Sequence, residues 1–151
     1  MRNRSLQPHD VEPFADVPFL VVEDDPASAR LIATVLATEG VTVVHVAHSA
    51  EEALVVLRDE FIRVLIVDVL LPGMSGLVLA RRVKSERATR HIIAIATSAW
   101  DEAGLAADLI DSGCIAFVPK PIESDTLLAI LRATLVQAAS SASEADTGRD
   151  S

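Results

Sequence analysis

The sequence has few of the residues that mark several common classes of protein. Its 151 residues include a single cysteine, Cys114, so an internal disulfide is impossible and nothing indicates an oxidising compartment. Aromatic residues make up only 3% of the chain, and aliphatic side chains must therefore build the core. The formal net charge of −9 argues against a protein that binds the nucleic-acid backbone, because such proteins cluster lysine and arginine.

Long hydrophobic runs are also missing. No apolar stretch approaches the roughly 20 residues that a membrane-spanning helix needs, and no apolar segment of the kind found in signal peptides follows Arg2 and Arg4. We therefore expect no membrane insertion and a cytoplasmic location. Half of the residues are hydrophobic, which is ample for the core of one domain.

Two polar segments flank a patterned central region. Residues 1–16 contain Pro8 and Pro13 and show no hydrophobic period, and residues 137–151 are small, polar and acidic. We therefore expect a flexible N-terminal segment (1–16), one domain (17–136) and a disordered polar tail (137–151).

Short apolar runs alternate with amphipathic segments across the central region. The runs predict strands at 19–22, 41–46, 64–67, 92–96 and 115–118. One helix is expected between Asp25, a suitable N-cap, and Gly40, and others at 51–59, 75–86, 101–111 and 124–136. This alternation predicts an α/β domain with a doubly wound parallel sheet and helices on both faces.

Polar side chains follow four of the predicted strands. Glu23 and Asp24 follow the first strand, Asp68 the third, Thr97 the fourth and Lys120 the fifth, whereas the second is followed by no reactive side chain. In open parallel sheets, ligands bind at the carboxyl ends of the strands, near the point where the strand order reverses. We therefore expect these side chains to meet in one cleft.

The expected cleft has a definite chemistry. Carboxylates that share a cleft raise one another's pKa unless a cation is present. Oxygen ligands suit Mg²⁺, and the lack of cysteine or histidine at these strand ends argues against zinc and copper. A carboxylate beside Mg²⁺ and a lysine can attack a phosphoryl group and form an acyl phosphate. Mg²⁺, Lys120 and Thr97 could each neutralise or bond one phosphoryl oxygen.

Four short motifs in this order resemble the receiver domains of response regulators. The motifs are Glu23-Asp24, Asp68 followed by Leu70-Leu71-Pro72-Gly73-Met74-Ser75-Gly76, Thr97-Ser98 and Lys120-Pro121. The resemblance covers residues 17–136, nearly all of the patterned chain. It implies the flavodoxin-like strand order 2-1-3-4-5.

The resemblance also implies how the acidic residues act. Asp68 would be the phosphoacceptor. Asp24 and Asp68 would bind Mg²⁺ directly and Glu23 would bind it through water. The backbone carbonyl of Leu70 would be a further metal ligand.

The remaining motif residues receive roles from the same resemblance. Lys120 would pair with a phosphoryl oxygen, and its peptide bond to Pro121 is usually cis in the family. Thr97 would be the switch hydroxyl, and Phe117 stands at the aromatic position that turns inward when that hydroxyl moves. Leu70 and Ala99 stand where receivers that lose the phosphoryl group quickly carry polar side chains, so the resemblance implies a long-lived phosphoryl group.

The implied partners are proteins. The phosphodonor would be the phosphohistidine of a sensor histidine kinase or of a histidine phosphotransfer protein. The chain would catalyse only its own phosphorylation and dephosphorylation. Because no DNA-binding segment follows the last predicted helix, and because Met1 and both polar ends are typical of a complete small protein, we expect a stand-alone receiver rather than a fragment of a hybrid kinase. It would signal to an unknown downstream protein through the fourth helix, fifth strand and fifth helix.

Two other classes share part of the pattern. Hydrolases of the haloacid dehalogenase type also use an aspartyl phosphate and Mg²⁺, but they carry an acidic residue two positions after the nucleophile, where this chain has Leu70. A flavodoxin would need a phosphate-binding loop after the first strand, where Glu23-Asp24-Asp25 would repel phosphate. His45, His48 and His91 are interpreted as surface or edge residues, and Cys114 as a small core residue. Trp100 is either a partner anchor or a partly covered loop residue.

Overall fold

The computed structural model of the chain describes residues 14–99 and 103–149. Within these residues, five strands alternate with five helices, as predicted. The strands are β1 (Phe19–Val22), β2 (Val44–Ala47), β3 (Val64–Asp68), β4 (Ile93–Ser98) and β5 (Ala116–Pro119). The helices are α1 (Pro26–Thr38), α2 (Ala50–Asp59), α3 (Gly76–Ser85), α4 (Ala103–Ser112) and α5 (Ser124–Arg149).

The five strands form one parallel sheet in the order β2-β1-β3-β4-β5, which confirms the expected fold and topology. β1 lies between β2 and β3, and Asp68 at the end of β3 pairs with Thr97 in β4. β5 is an edge strand, so Pro119 can occupy its last position although proline lacks an amide hydrogen.

Two apolar clusters cover the two faces of this sheet. On one face, Val22 and Val67 of the strands pack with residues of α2 and α3, such as Ala53 and Leu79. On the other face, the strands pack with α1 and α5. The buried side chains on that second face include Phe19, Val21, Ile32, Leu36, Ile66, Ile95, Leu127 and Leu131. Full burial of one such side chain stabilises a fold by about 1.5–3 kcal/mol, so both clusters anchor the strand ends that carry the polar residues.

The turn after α1 explains why β2 begins later than predicted. Gly40 adopts a φ of +88°, and its amide donates to Ala37 O, while the amide of Val41 donates to Leu36 O, both at 3.1 Å. These bonds satisfy the last carbonyls of the helix. Val41 therefore belongs to the helix end, and the prediction of a strand from residue 41 is wrong.

The boundaries of the domain also differ from the prediction. Phe14 is fully buried and its ring meets that of Phe19 edge-on at 6.4 Å, so the packed domain already includes residue 14, within the segment expected to be flexible. At the other end, α5 continues to Arg149 instead of ending at Val136. Residues 137–149 include four alanines and no proline, so a helix can continue through Arg149 where a disordered tail was expected. Residues 1–13 and 150–151 lie outside the described residues.

Other element bounds agree with the prediction within a few residues. α3 has Ser75 as its N-cap, and Asp25 caps α1 by accepting from the amide of Ser28 at 3.2 Å. The predicted start of α4 and the interpretation of Trp100 lie outside the described residues. Within residues 14–99 and 103–149, no helix combines the length and apolar character required to cross a bilayer.

Candidate functional site

Glu23 lies buried directly after β1. Its side chain is only 1% exposed, although it is a carboxylate. Its Oε2 accepts from the amide of Asp25 at 3.1 Å, and its Oε1 accepts from Lys120 Nζ at 2.6 Å. Burial raises the pKa of Glu23, and these two bonds oppose the rise without cancelling it. The site therefore holds this carboxyl group at the cost of desolvation.

Asp68 lies at the end of β3, the central strand of the sheet. It is 5% exposed, and both of its carboxylate oxygens accept hydrogen bonds. Oδ1 accepts from the amide of Leu70 at 3.1 Å and Oδ2 accepts from Lys120 Nζ at 2.9 Å. The carboxylate is thus held in one orientation by the loop on one side and by an ammonium group on the other.

Lys120 directly follows the edge strand β5, and its ammonium group binds both buried carboxylates. Its amide donates to Ser98 O at 2.9 Å, so the β4–β5 pairing continues to this residue, and its peptide bond to Pro121 is cis, as the resemblance implied. Burial alone would lower the pKa of Lys120, but the hydrogen bonds to Glu23 and Asp68 outweigh it and raise the pKa. The ammonium group therefore stays charged between the two carboxylates.

Asp24 completes an acidic cluster at the same edge. Unlike Glu23, it is exposed. One carboxylate oxygen from each of Glu23, Asp24 and Asp68 lies within 4.8 Å of the others. Three carboxylates face a single ammonium group, so the cluster carries excess negative charge and could hold a divalent cation with oxygen ligands.

Thr97 and Phe117 lie on the neighbouring strands β4 and β5, and Thr97 pairs with Asp68 in the register. Thr97 is 1% exposed, and among the described residues its Oγ1 has no hydrogen-bond partner. A buried hydroxyl without a partner costs about 1–3 kcal/mol. Phe117, opposite Ala96 in the β4–β5 register, is half-buried and packs against the apolar cluster on the α2–α3 side of the sheet.

The loop after Asp68 approaches the acceptor closely. A Cβ atom at Gly76 would lie 1.9 Å from the carbonyl oxygen of Asp68, so only glycine fits there. The amide of Gly76 donates to Val69 O at 3.0 Å, and Ser75 Oγ donates to the same carbonyl at 3.3 Å. The side chain of Leu70 is 58% exposed beside the acceptor. The loop is therefore fixed to the strand while Leu70 faces outward.

One contact at the site was missed in the sequence. His48 follows β2, and its Nδ1 lies 3.1 Å from the carbonyl oxygen of Glu23. His48 is exposed, as expected for a surface residue, but its contact with the backbone of Glu23 was not predicted from the sequence. Nothing in the order of residues indicates this contact, because it depends on how far β2 extends beside β1.

Glu23, Asp24, Asp68 and Lys120 thus meet at the carboxyl ends of the strands, with Thr97 beside Asp68 in the register. Leu70 follows in the loop after Asp68, whereas Phe117 lies within β5 and packs on the apolar cluster. The parallel sheet with strand order 2-1-3-4-5 makes this chain a doubly wound α/β protein. The acidic cluster and the lysine form a polar site at the carboxyl ends of its strands. A family model described as the response regulator receiver domain matches residues 19–132. The chain therefore belongs to the receiver domain family of response regulators, which act in two-component signalling.

Individual relatives agree with this assignment. The response regulator PleD of Caulobacter vibrioides is 33% identical over 113 residues, which are 75% of this chain and 25% of PleD. This chain thus spans a quarter of PleD's length. An uncharacterized 14.6 kDa protein of Leptolyngbya boryana is 31% identical over 122 residues, 81% of this chain and 92% of that one.

A solved structure has the same fold. The chemotaxis response regulator CheY4 of Vibrio cholerae superposes with a TM-score of 0.73 at 21% identity, over 78% of this chain and 98% of that one. At this identity the likeness concerns the fold alone. It agrees with the strand order described above.

Proposed function

We propose that this protein is a phosphorylation switch in which Asp68 accepts a phosphoryl group. The observation that carries the proposal is the surroundings of that carboxylate. Lys120 Nζ lies 2.9 Å from Asp68 Oδ2, and Thr97, its neighbour in the β3–β4 register, has a buried hydroxyl without a partner among the described residues. A phosphoryl group on Asp68 would bring oxygens that can accept from both donors.

A magnesium ion fits the donor set of this site. Asp24 and Asp68 would hold it directly, Glu23 through water and Leu70 through its backbone carbonyl. Three carboxylates against one ammonium group leave negative charge that a divalent cation would neutralise. When bound, Mg²⁺ would supply charge neutralisation for the phosphoryl oxygens.

The proposed reaction transfers a phosphoryl group from a phosphohistidine. A carboxylate oxygen of Asp68 attacks phosphorus, the new P–O bond forms, and the P–N bond of the donor breaks with its electron pair returning to the imidazole. Lys120 neutralises charge on one phosphoryl oxygen, and its raised pKa keeps the ammonium group protonated for this role. The donor would be a sensor histidine kinase or a histidine phosphotransfer protein.

The signal would leave the site through Thr97 and Phe117. In our proposal the Thr97 hydroxyl moves to donate to a phosphoryl oxygen, which vacates space that the ring of Phe117 enters. Phe117 is half-buried on β5 and packs against the apolar cluster on the α2–α3 side of the sheet. The rearranged surface of α4, β5 and α5 would then bind a downstream protein.

A hydrolase of the haloacid dehalogenase type is not favoured. Such an enzyme would need an acid two residues after the nucleophile, and Leu70 offers only a hydrocarbon side chain there.

Phosphorylation by a small phosphodonor tests the proposal. Incubation with acetyl phosphate and Mg²⁺ should add one acid-stable, base-labile phosphoryl group to the wild-type protein, as seen by intact-mass spectrometry. Asp68→Asn should remain unlabelled. Asp59→Asn, which changes an exposed aspartate at the end of α2, is the matched control and should be labelled like wild type. Equal labelling of the Asp68→Asn protein would show that the acceptor lies elsewhere.

A further inference from the structure

We propose that His48 is a positioning residue for the acidic end of β1. Its ring holds the backbone of Glu23 and so determines where the carboxylates of Glu23 and Asp24 lie. The inference rests on the proposed function, because it concerns how the proposed Mg²⁺ ligands are placed.

The ring of His48 continues the hydrogen bonding between β1 and β2 beyond their last backbone pair. That pair is Val22 with Ala47, and the amide of Glu23 still donates to Ala47 O at 3.0 Å. The carbonyl of Glu23 then turns to a side chain, because His48 Nδ1 lies 3.1 Å from it. The imidazole therefore takes the place of a strand amide at the point where β1 enters the site.

The direction of this hydrogen bond defines the protonation of the ring. A backbone carbonyl can only accept, so a hydrogen bond at this contact requires the tautomer of His48 that carries a hydrogen on Nδ1. The backbone of His48 is itself anchored: its amide donates to Glu52 Oε2 at 2.9 Å, while the amide of Glu52 donates to Ser49 Oγ at 3.1 Å. The start of α2 thus holds the backbone of His48 in place, and the ring of His48 in turn contacts the backbone of Glu23.

The held carbonyl orients both acidic side chains. The carbonyl of Glu23 and the amide of Asp24 belong to one planar peptide unit, so a bond to the carbonyl restrains the rotation of that unit. In the observed orientation Glu23 is 1% exposed and bonded to Lys120, while Asp24 is exposed. Without the ring, this unit could rotate and the carboxylates would lose their preset arrangement.

Three variants separate this role from a general effect on folding. His48→Leu removes the donor, and His48→Asn restores an N–H at a similar distance from the backbone. His45→Leu makes the same change near the start of β2, opposite Leu20 and away from the carboxyl end of the strand, and is the matched control. Mg²⁺ affinity is measured by isothermal titration calorimetry and stability by urea denaturation, both on the full chain.

The expected pattern is a selective loss of metal affinity. Groups that orient metal ligands typically contribute about 10–100-fold to affinity, and because this contact acts on backbone we expect a loss of about tenfold for His48→Leu. His48→Asn should recover most of it, and His45→Leu should bind like wild type. Nitrogen-15 NMR of the metal-free wild-type protein should show Nδ1 of His48 protonated.

Each result decides between the two proposals. If wild type binds Mg²⁺ and His48→Leu binds it equally well, or if His48→Asn is as weak as His48→Leu, the positioning role is wrong while the proposed function stands. A neutral His48 ring with its hydrogen on Nε2 would also overturn the positioning role. Failure of the wild-type protein to bind Mg²⁺ would overturn the proposed function and the positioning role together.

Discussion

The amino ends and the carboxyl ends of the five strands form two opposite edges of the sheet, and different kinds of side chain lie at each. We call them the amino edge and the carboxyl edge. At the carboxyl edge, Glu23, Asp68, Thr97 and Ser98 are all at most 5% exposed, although each is polar or charged. At the amino edge, β1 and β3 begin with the fully buried apolar side chains Phe19 and Val64. The same strands therefore present chemistry at one end and packing at the other.

At the amino edge, backbone carbonyls accept from backbone amides and also from a side chain: Lys84 Nζ donates to Ile92 O at 2.7 Å. Pro18 O accepts from the amides of Arg63 and Val64, at 3.0 and 3.2 Å. Phe61 is 63% exposed and stacks on His91 with ring centroids 5.3 Å apart. Burial lowers the pKa of Lys84 at this edge. Among the described residues, however, the amino edge has no counterpart of the buried carboxylates Glu23 and Asp68.

At the carboxyl edge, the burial of polar side chains lowers the stability of the fold. Burying carboxylates costs free energy even when an ammonium group pairs with them, and a buried hydroxyl without a partner adds to that cost. Glu23 and Thr97 show both costs: a raised pKa in one and, among the described residues, an unpaired Oγ1 in the other. The comparison teaches that the packing at the amino edge must offset the polar site at the carboxyl edge.

The largest expected loss of stability comes from removing a buried side chain at the amino edge. Phe14→Ala removes a fully buried ring that meets Phe19 edge-on, and such truncations cost about 3–5 kcal/mol in the free energy of unfolding. Urea denaturation measures it. The control, Phe61→Ala, removes an exposed ring from the same edge and should cost only about 0.5–1 kcal/mol. Equal losses for both variants would contradict the packing role that we assign to Phe14.

A smaller loss of stability is expected when the carboxyl edge is overpacked. Gly76→Ala would place a methyl group 1.9 Å from the carbonyl oxygen of Asp68, so backbone must shift. Alanine is favoured over glycine in helices by about 1 kcal/mol, but such a backbone clash should dominate, with a net cost of about 2–3 kcal/mol.

The same change should also disturb the site. Because the displaced atom belongs to Asp68, acetyl phosphate should label Gly76→Ala more slowly than wild type. Val78→Ala, at an exposed position of the same helix, is the control and should change neither stability nor labelling appreciably. Wild-type stability and labelling in Gly76→Ala would show that the loop has room to relax.

The two edges were not equally predictable from the sequence. Continuous apolar runs predict strands buried on both faces, and polar residues at their ends predict a shared site, so Glu23, Asp68, Thr97 and Lys120 could be placed together before any coordinates. The order of the strands in the sheet could not be predicted in this way. The alternation of strands and helices is compatible with several orders, and only the resemblance to a family implied the order 2-1-3-4-5.

Contacts between distant segments were beyond the reach of the sequence. The bond from His48 to Glu23 O joins residues 25 apart and depends on strand register. Phe14 is fully buried but lies in a polar stretch without a hydrophobic period, so its burial could not be predicted from the neighbouring residues. α5 continues past Val136 because alanine-rich polar sequence suits a helix as well as a tail. In each case, local composition was compatible with two structures.

The smallest expected effect concerns how long the phosphoryl group would last on Asp68. Hydrolysis of an acyl phosphate needs a water molecule held in line with the bond that breaks. Leu70, whose amide is held by Asp68 Oδ1, has a 58% exposed hydrocarbon side chain beside the acceptor, and Ala99 is an exposed residue shortly after Thr97. Neither side chain can orient water by hydrogen bonding, so we predict slow loss of the group.

Adding polar side chains at these positions should therefore speed the loss. Decay of the phosphorylated protein, followed by intact-mass spectrometry in Mg²⁺, should be about tenfold faster in the double variant Leu70→Asn, Ala99→Glu than in wild type, which corresponds to roughly 1.4 kcal/mol in the barrier. Each single variant should lie between them. Val78→Asn places the same polar group on an exposed position of α3, outside the site, and should decay like wild type because it cannot reach the water. If wild type decays as fast as the double variant, Leu70 and Ala99 do not protect the phosphoryl group, and the exposed hydrocarbon beside Asp68 has no kinetic role.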